Sequence, residues 1–189
     1  MSDAISALPG AVHDGWVKVT ETGLQGMITL RADPGSAAVK QAVTGAAGTD
    51  VPGQRGIVAS GDRAVAWMSS DELLIMVPYP EVAGVLAALE EALRGEHFLA
   101  VNVSDARAVF DLHGAGLREV VAKLCPVDMA PGAFEPGEIR RTRMAQIPAA
   151  IWMTGAESLR VVCFRSVAQY AFDLLRDAAA PGGEVGVFA

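Results

Sequence analysis

Alternating and helical spacings of apolar residues organise the first half of the chain. Ile28 and Leu30 alternate with more polar neighbours, which is typical of a half-buried strand. Val82, Val85 and Leu89 follow the spacing of one buried face of a helix. Two strand-like runs joined by a short turn precede that helix, and another follows it. A helix is also predicted to begin near Ser36, a candidate N-cap. Together the patterns predict the order strand, helix, strand, strand, helix, strand.

The second half begins again with a strand and a helix. Ala108, Phe110 and Leu112 alternate as a strand, and Leu117 and Val120 begin the apolar stripe of a helix. The small, Gly-rich tail at the end of the chain is predicted to fray. Between the first helix of this half and the tail, the patterns predict strands over 139–146, 149–153 and 158–164 and a helix from Ser166.

One stretch of sequence recurs within the chain. Residues 66–89 and 151–174 align without a gap at an offset of 85, which places Trp67 on Trp152. A period this long exceeds the periods of solenoids and propeller blades. The recurrence therefore predicts two related halves that contain both helices and strands. Chance similarity between two strand-turn-strand-helix units is the alternative interpretation.

The patterns also predict the domain organisation. Residues 1–22 lack clear periodicity and are interpreted as a partly extended N-terminal arm. A single duplicated α+β domain follows over residues 23–177, with halves at about 23–103 and 104–177. Residues 178–189 are predicted to form a flexible tail.

Composition narrows the classes of function. The chain has 189 residues and a net charge of -7, which disfavours non-specific binding to nucleic acid. No apolar run is long enough to span a membrane, and no signal peptide is recognisable at the start. Cys125 and Cys163 are widely separated, so free, buried thiols and a cytoplasmic location are expected.

Most motifs that carry chemistry are incomplete in this sequence. The turn at 113–116 reads HGAG and opens a helix, but it lacks the third glycine of a dinucleotide-binding loop. His13, His97 and His113 are scattered without the spacing of metal ligands. No catalytic residue, cofactor-binding residue or metal ligand is therefore predicted.

Arg141 and Arg143 form the one candidate binding surface. They lie two residues apart on a predicted strand and hence on one face, where they would contact an anionic ligand or an acidic partner surface. A solvated strand face, paired with carboxylates across the sheet, is the alternative.

Three segments of the second half carry a resemblance to a known fold. They read DARAVFDLHGAGLREVVAKLCPVDM, FEPGEIRRTRMAQIPAAIWM and LRVVCFRSVAQYAFDLL. Their order resembles the folate-binding fold of the glycine-cleavage T-protein type. That family is built from two duplicated halves. The resemblance implies an α+β fold in which two duplicated ferredoxin-like β-α-β-β-α halves pack as one folate-binding-type domain.

A closer resemblance covers about residues 24–176. The segments ITLRADPGSAAVKQAV, AVAWMSSDELLIMVP and FRSVAQYAFDLL are similar to the gamma-subunit family of heterotetrameric sarcosine oxidases. The resemblance implies an accessory, non-catalytic chain with alpha, beta and delta subunits as partners. It further implies oxidative demethylation of sarcosine to glycine in the assembled complex. Flavins, NAD and tetrahydrofolate would then be bound by partner subunits, and none by this chain.

Two other functions stay open on the sequence. One is a free-standing, folate-dependent protein similar to an aminomethyltransferase. The other is a small-molecule-binding module made of two ferredoxin-like halves. Co-purification with large flavin-bearing chains distinguishes the accessory subunit from both.

Overall fold

Two antiparallel sheets organise the chain, and each belongs to a structural unit of its own. The computed structural model describes residues 4–188. The central unit runs from Leu24 to Ser104, and the terminal unit combines the segment up to Gly23 with the segment from Asp105 onward. The first strands of the terminal unit are β1 (Val12–Asp14) and β2 (Lys18–Glu21).

The central unit contains five strands in the order β4-β5-β6-β3-β7 and two helices. Ile28 and Leu30 are fully buried beneath the helices, as expected for β3. Met27, which the alternation places on the opposite face, is buried as well, so the prediction of a half-buried strand is wrong for this part of β3. The helical stripe of Val82, Val85 and Leu89 joins the same core, as expected. Its elements are β3 (Gln25–Arg31), α1 (Ala37–Ala47), β4 (Ile57–Ser60), β5 (Arg63–Ser69), β6 (Glu72–Pro78), α2 (Val82–Ala92) and β7 (Leu99–Asn102).

The terminal unit contains six strands in the order β1-β2-β8-β11-β10-β9. Phe110 is fully buried at the centre of this unit, and its ring centroid lies 6.1 Å from that of Phe172. Leu117 and Val120 belong to the same core. The remaining elements are β8 (Arg107–His113), α3 (Leu117–Leu124), β9 (Ile139–Met144), β10 (Ile147–Gly155), β11 (Ser158–Phe164) and α4 (Ala168–Ala178).

The segment interpreted as an N-terminal arm instead forms part of a sheet. Strand β2 pairs antiparallel with β8, which places Val19 opposite Leu112. Val17 and Val19 are both fully buried in the core of the terminal unit. The prediction of an arm over residues 1–22 is therefore wrong for this segment, because alternate valines give it an apolar face to bury. Residues 1–3 lie outside the described part of the chain.

Residue pairing within two hairpins determines the sequence offset between matching positions of the recurring stretches. In the central unit Ser69 pairs with Glu72 after a register shift, and in the terminal unit Gly155 pairs with Ser158 after a similar shift. Matching positions in the two hairpins are therefore 86 residues apart. The same difference separates the starts and ends of β6 and β11 and of α2 and α4. The offset of 85 read from the sequence is wrong by one residue.

This correction changes how the two tryptophans are compared. At a difference of 86 residues, Trp67 corresponds to Met153 rather than to Trp152. Successive side chains of a strand point to opposite faces, so a slip of one residue exchanges the two faces. Trp67 and Trp152 are therefore not equivalent, although the sequence alignment superposes them.

Candidate functional site

Arg141 and Arg143 lie on β9, at one edge of the terminal sheet. In the described sheet β9 pairs only with β10, where Arg141 is opposite Ala150 and Arg143 is opposite Pro148. Both arginines occupy the same face of the strand, and both are exposed. The structure therefore places this predicted basic pair together on an outer strand.

The neighbouring arginine plays a different part. Arg140 lies on the other face of β9, where its guanidinium stands 5.1 Å from the centroid of the Phe134 ring. It also forms an ion pair with Glu138 at 3.4 Å. These contacts are internal to the chain, and they fasten the start of β9 to the loop before it.

That loop is held in place by a partly buried arginine, Arg118, that the sequence patterns did not single out. The Arg118 guanidinium donates hydrogen bonds to the carbonyl oxygens of Met129 at 3.0 Å and Phe134 at 2.9 Å. It also pairs with the Glu135 carboxylate at 3.0 Å. Five donors in a planar fork suit a guanidinium to bind several loop carbonyls at once. The position of β9 is therefore set by α3, which carries Arg118.

The glycine-rich turn before α3 makes room for an aromatic ring. A side chain at Gly116 would overlap the six-membered ring of Trp16. Trp16 in turn donates its backbone N–H to the Ala179 carbonyl at 3.1 Å and its indole N–H to the Ala178 carbonyl at 3.3 Å. The glycine that resembles part of a phosphate-binding loop is thus required for packing between the β1–β2 connection and α3.

Glu119 lies in the first turn of α3 and is buried, with an exposed fraction of 6%. Its carboxylate accepts N–H groups from Val185 at 2.6 Å, Gly186 at 2.8 Å and Val187 at 3.3 Å. Lys123 forms an ion pair with it at 3.0 Å. The bond from Val185 contributes most to lowering the pKa of Glu119 to about 2, and Lys123 and the other two amides act in the same direction.

The Glu119 contacts have two consequences. A carboxylate at this helix start opposes the binding of a pyrophosphate, which needs a positive helix end. They also anchor the Gly-rich tail at residues 185–187, so the prediction that the tail frays is wrong for these residues. The signal in the sequence was a glutamate beside the apolar residues of a short helix, but the three amides that it binds are more than sixty residues away.

The central unit has an open groove beside the β5–β6 turn. Arg31, Asp33, Ser36, Asp71 and His97 contribute polar groups to a cavity of about 720 Å³. The Ser69 hydroxyl, at 2.6 Å, and the Arg31 guanidinium, at 2.7 Å, both donate to Asp71 and lower the pKa of its carboxyl group. Asp71 therefore links the β5–β6 turn to the end of β3, which carries Arg31.

The environment of the two cysteines disfavours their thiolate forms. Both are free and buried, and burial raises the pKa of the Cys125 thiol to about 12 and that of the Cys163 thiol to about 11. Over residues 4–188 no group of three or more histidine, cysteine, aspartate and glutamate side chains could hold a metal ion. Within the same range no helix is long and apolar enough to cross a membrane.

Comparison with known structures first defines the class of protein. The fold matches the glycine cleavage system aminomethyltransferase T from Bartonella henselae with a TM-score of 0.58 and 11% identity, over 80% of this chain and 43% of that chain. It matches the heterotetrameric sarcosine oxidase from Corynebacterium sp. U-96 with a TM-score of 0.80 and 29% identity, over 89% of this chain and 87% of that chain. The chain thus has a mixed α/β fold with two sheets that these proteins share.

Sequence comparison then gives the family. Residues 31–181 match the sarcosine oxidase, gamma subunit family. The sarcosine oxidase subunit gamma of Arthrobacter sp. is 36% identical over 150 residues, which cover 78% of this chain and 72% of that protein. The chain therefore belongs to the sarcosine oxidase gamma subunit family, and its function is that of the gamma subunit of a heterotetrameric sarcosine oxidase.

Proposed function

We propose that this gamma subunit is an accessory chain that supports the reaction of the complex without carrying out a chemical step. The observation that carries the proposal is the state of Glu119. It is a buried carboxylate beside a cavity, which is where a general base would be sought. Its oxygens already accept three backbone N–H groups, and its pKa of about 2 makes it a weak proton acceptor.

The partners and cofactors follow from the family. We infer that the chain assembles with alpha, beta and delta subunits, and that the complex demethylates sarcosine oxidatively to glycine. Flavins, NAD and tetrahydrofolate are then bound by the partner subunits. The structurally similar protein from Corynebacterium sp. U-96 is a heterotetrameric sarcosine oxidase, which supports a four-chain assembly of this kind. The free, buried thiols Cys125 and Cys163 fit a reducing, cytoplasmic location.

We also propose that the two units are duplicated, ferredoxin-like halves. The constant difference of 86 residues between the hairpins and between α2 and α4 supports this. So does the strand order, because β2 takes the same place beside β8 that β7 takes beside β3. In this interpretation the N-terminal segment supplies β2 as the last strand of the second half, because the segment from Asp105 onward does not contain that strand.

Purification of the complex tests the accessory function. The chain should co-elute with flavin-bearing subunits when all subunits are co-expressed. Expressed alone, it should bind no flavin and should neither oxidise sarcosine nor transfer a one-carbon unit to tetrahydrofolate. Either activity in the isolated chain, at rates that match the assembled enzyme, would refute the accessory function and favour the folate-dependent alternative.

A further inference from the structure

We propose that the outer edge of β9 binds an acidic, extended segment of a partner subunit by strand addition. In this arrangement Arg141 and Arg143 pair with two carboxylates that lie two residues apart on the added segment. The inference rests on the proposed function, since it needs a partner subunit, and it names the surface and the chemistry of that contact.

The position of β9 in the sheet supports strand addition. Ile139–Met144 is the last strand of the six-stranded sheet, and within residues 4–188 only β10 pairs with it. The outer side of such a strand is a template for main-chain hydrogen bonds from another chain. A strand of six residues has the length that a short added segment needs.

The rigidity of β9 is a second argument. Arg118 fixes the loop before the strand through the carbonyl oxygens of Met129 and Phe134, and Arg140 is fastened to Phe134 and Glu138. A strand that is already ordered loses little conformational entropy when a partner binds. The two outward arginines are thus presented from a fixed backbone.

Charge complementarity identifies the occupant. Arg141 and Arg143 share one face and are about 7 Å apart along the strand. On an added strand the residues opposite them are also two apart and on the same face. The chain as a whole carries a net charge of -7, so this basic edge favours an acidic segment more than the surface does on average. The occupant is therefore a partner segment with acidic residues at alternate positions.

Charge reversal in the co-expressed complex tests the site. The variant R141E/R143E should retain partner subunits about tenfold less well than the unaltered chain, and the unaltered complex should loosen as salt is raised. The variant R55E/R94E makes the same change in net charge at two exposed residues of the central unit and should retain them normally. R141K/R143K keeps both charges and should stay within about threefold of the unaltered chain.

Hydrogen exchange distinguishes strand addition on β9 from electrostatic attraction without main-chain pairing. Amides of Ile139–Met144 should exchange more slowly in the complex than in the isolated full chain. Unchanged exchange there, or equal partner retention by R141E/R143E and R55E/R94E, would overturn the proposal and leave the accessory function standing. An unaltered chain that does not co-elute with any flavin-bearing subunit would overturn the accessory function, and this site with it.

Discussion

Removal of the N-terminal strand should destabilise the terminal unit. Val17 and Val19 are fully buried, and β2 pairs with β8 over four residues. Burial of a valine side chain contributes about 1.5–3 kcal/mol, so the two together contribute about 3–6 kcal/mol before any hydrogen bond is counted. Whole domains are stable by only about 5–15 kcal/mol. Deletion of residues 1–22 is therefore expected to unfold the terminal unit or to leave it barely stable.

A point variant tests the burial of the same strand through a change in the free energy of unfolding that can be measured. Val19→Ala removes two buried methyl groups opposite Leu112 and should lower the free energy of unfolding by about 2 kcal/mol. Val12→Ala is the matched control, because Val12 lies in the same segment but is 51% exposed. Its effect should stay within about 0.5 kcal/mol.

Urea denaturation of the isolated full chain provides the measurement. A loss of about 2 kcal/mol lowers the midpoint by about 1 M if the slope is about 2 kcal/mol per molar urea. The reasoning fails if Val19→Ala is as harmless as Val12→Ala. It fails equally if the chain without residues 1–22 unfolds with the same midpoint and slope as the full chain, since the segment would then be the detachable arm that the sequence suggested.

Three further outcomes are expected. The pKa of Glu119 is lowered to about 2 from an ordinary value of 4.5, so its anchoring of the tail should be complete above about pH 4.5 and lost as the pH falls through about 2. Amide exchange at 185–187 should show this loss, and Glu119→Gln should release the tail at neutral pH. Cys125 and Cys163 should resist a thiol reagent in the folded chain and react on unfolding; rapid labelling of the native chain would contradict their burial. Gly116→Ala should lower the melting temperature by overlap with Trp16, whereas Gly84→Ala, inside α2 with open space around it, should raise it slightly.

The hairpins and the helices that follow them were predictable because their patterns are local. Residues 63–68 and 72–77 are two mostly apolar runs joined by a short polar turn, and the stripe from Val82 to Leu89 spans two helical turns. Strand β2 has no such signal. It is four residues long, three of them polar, and it pairs with a strand about ninety residues away. The burial of Val19 in this strand and of Val17 just before it can be predicted only once the pairing with β8 is known.

The slip of one residue in the internal alignment has a physical origin too. Strands β6 and β10 carry apolar runs with little alternation, so similar residues can be superposed at two neighbouring offsets with comparable success. Hairpin pairing resolves the choice, because Ser69–Glu72 and Gly155–Ser158 must match as pairs. Sequence similarity had selected the offset that superposes two tryptophans, and these belong to opposite faces.

For the candidate site, too, one part is predictable from residue spacing and another depends on pairing between distant strands. That Arg141 and Arg143 share a face follows from their spacing alone, and this part needed no structure. That their strand is an outer one depends on the order β8-β11-β10-β9, which long-range pairing decides. On an inner strand of the same sheet, Arg160 of β11 faces Asp111 of β8 at 2.7 Å. On β9 the described sheet ends, and an acidic strand from a partner subunit would extend it from there.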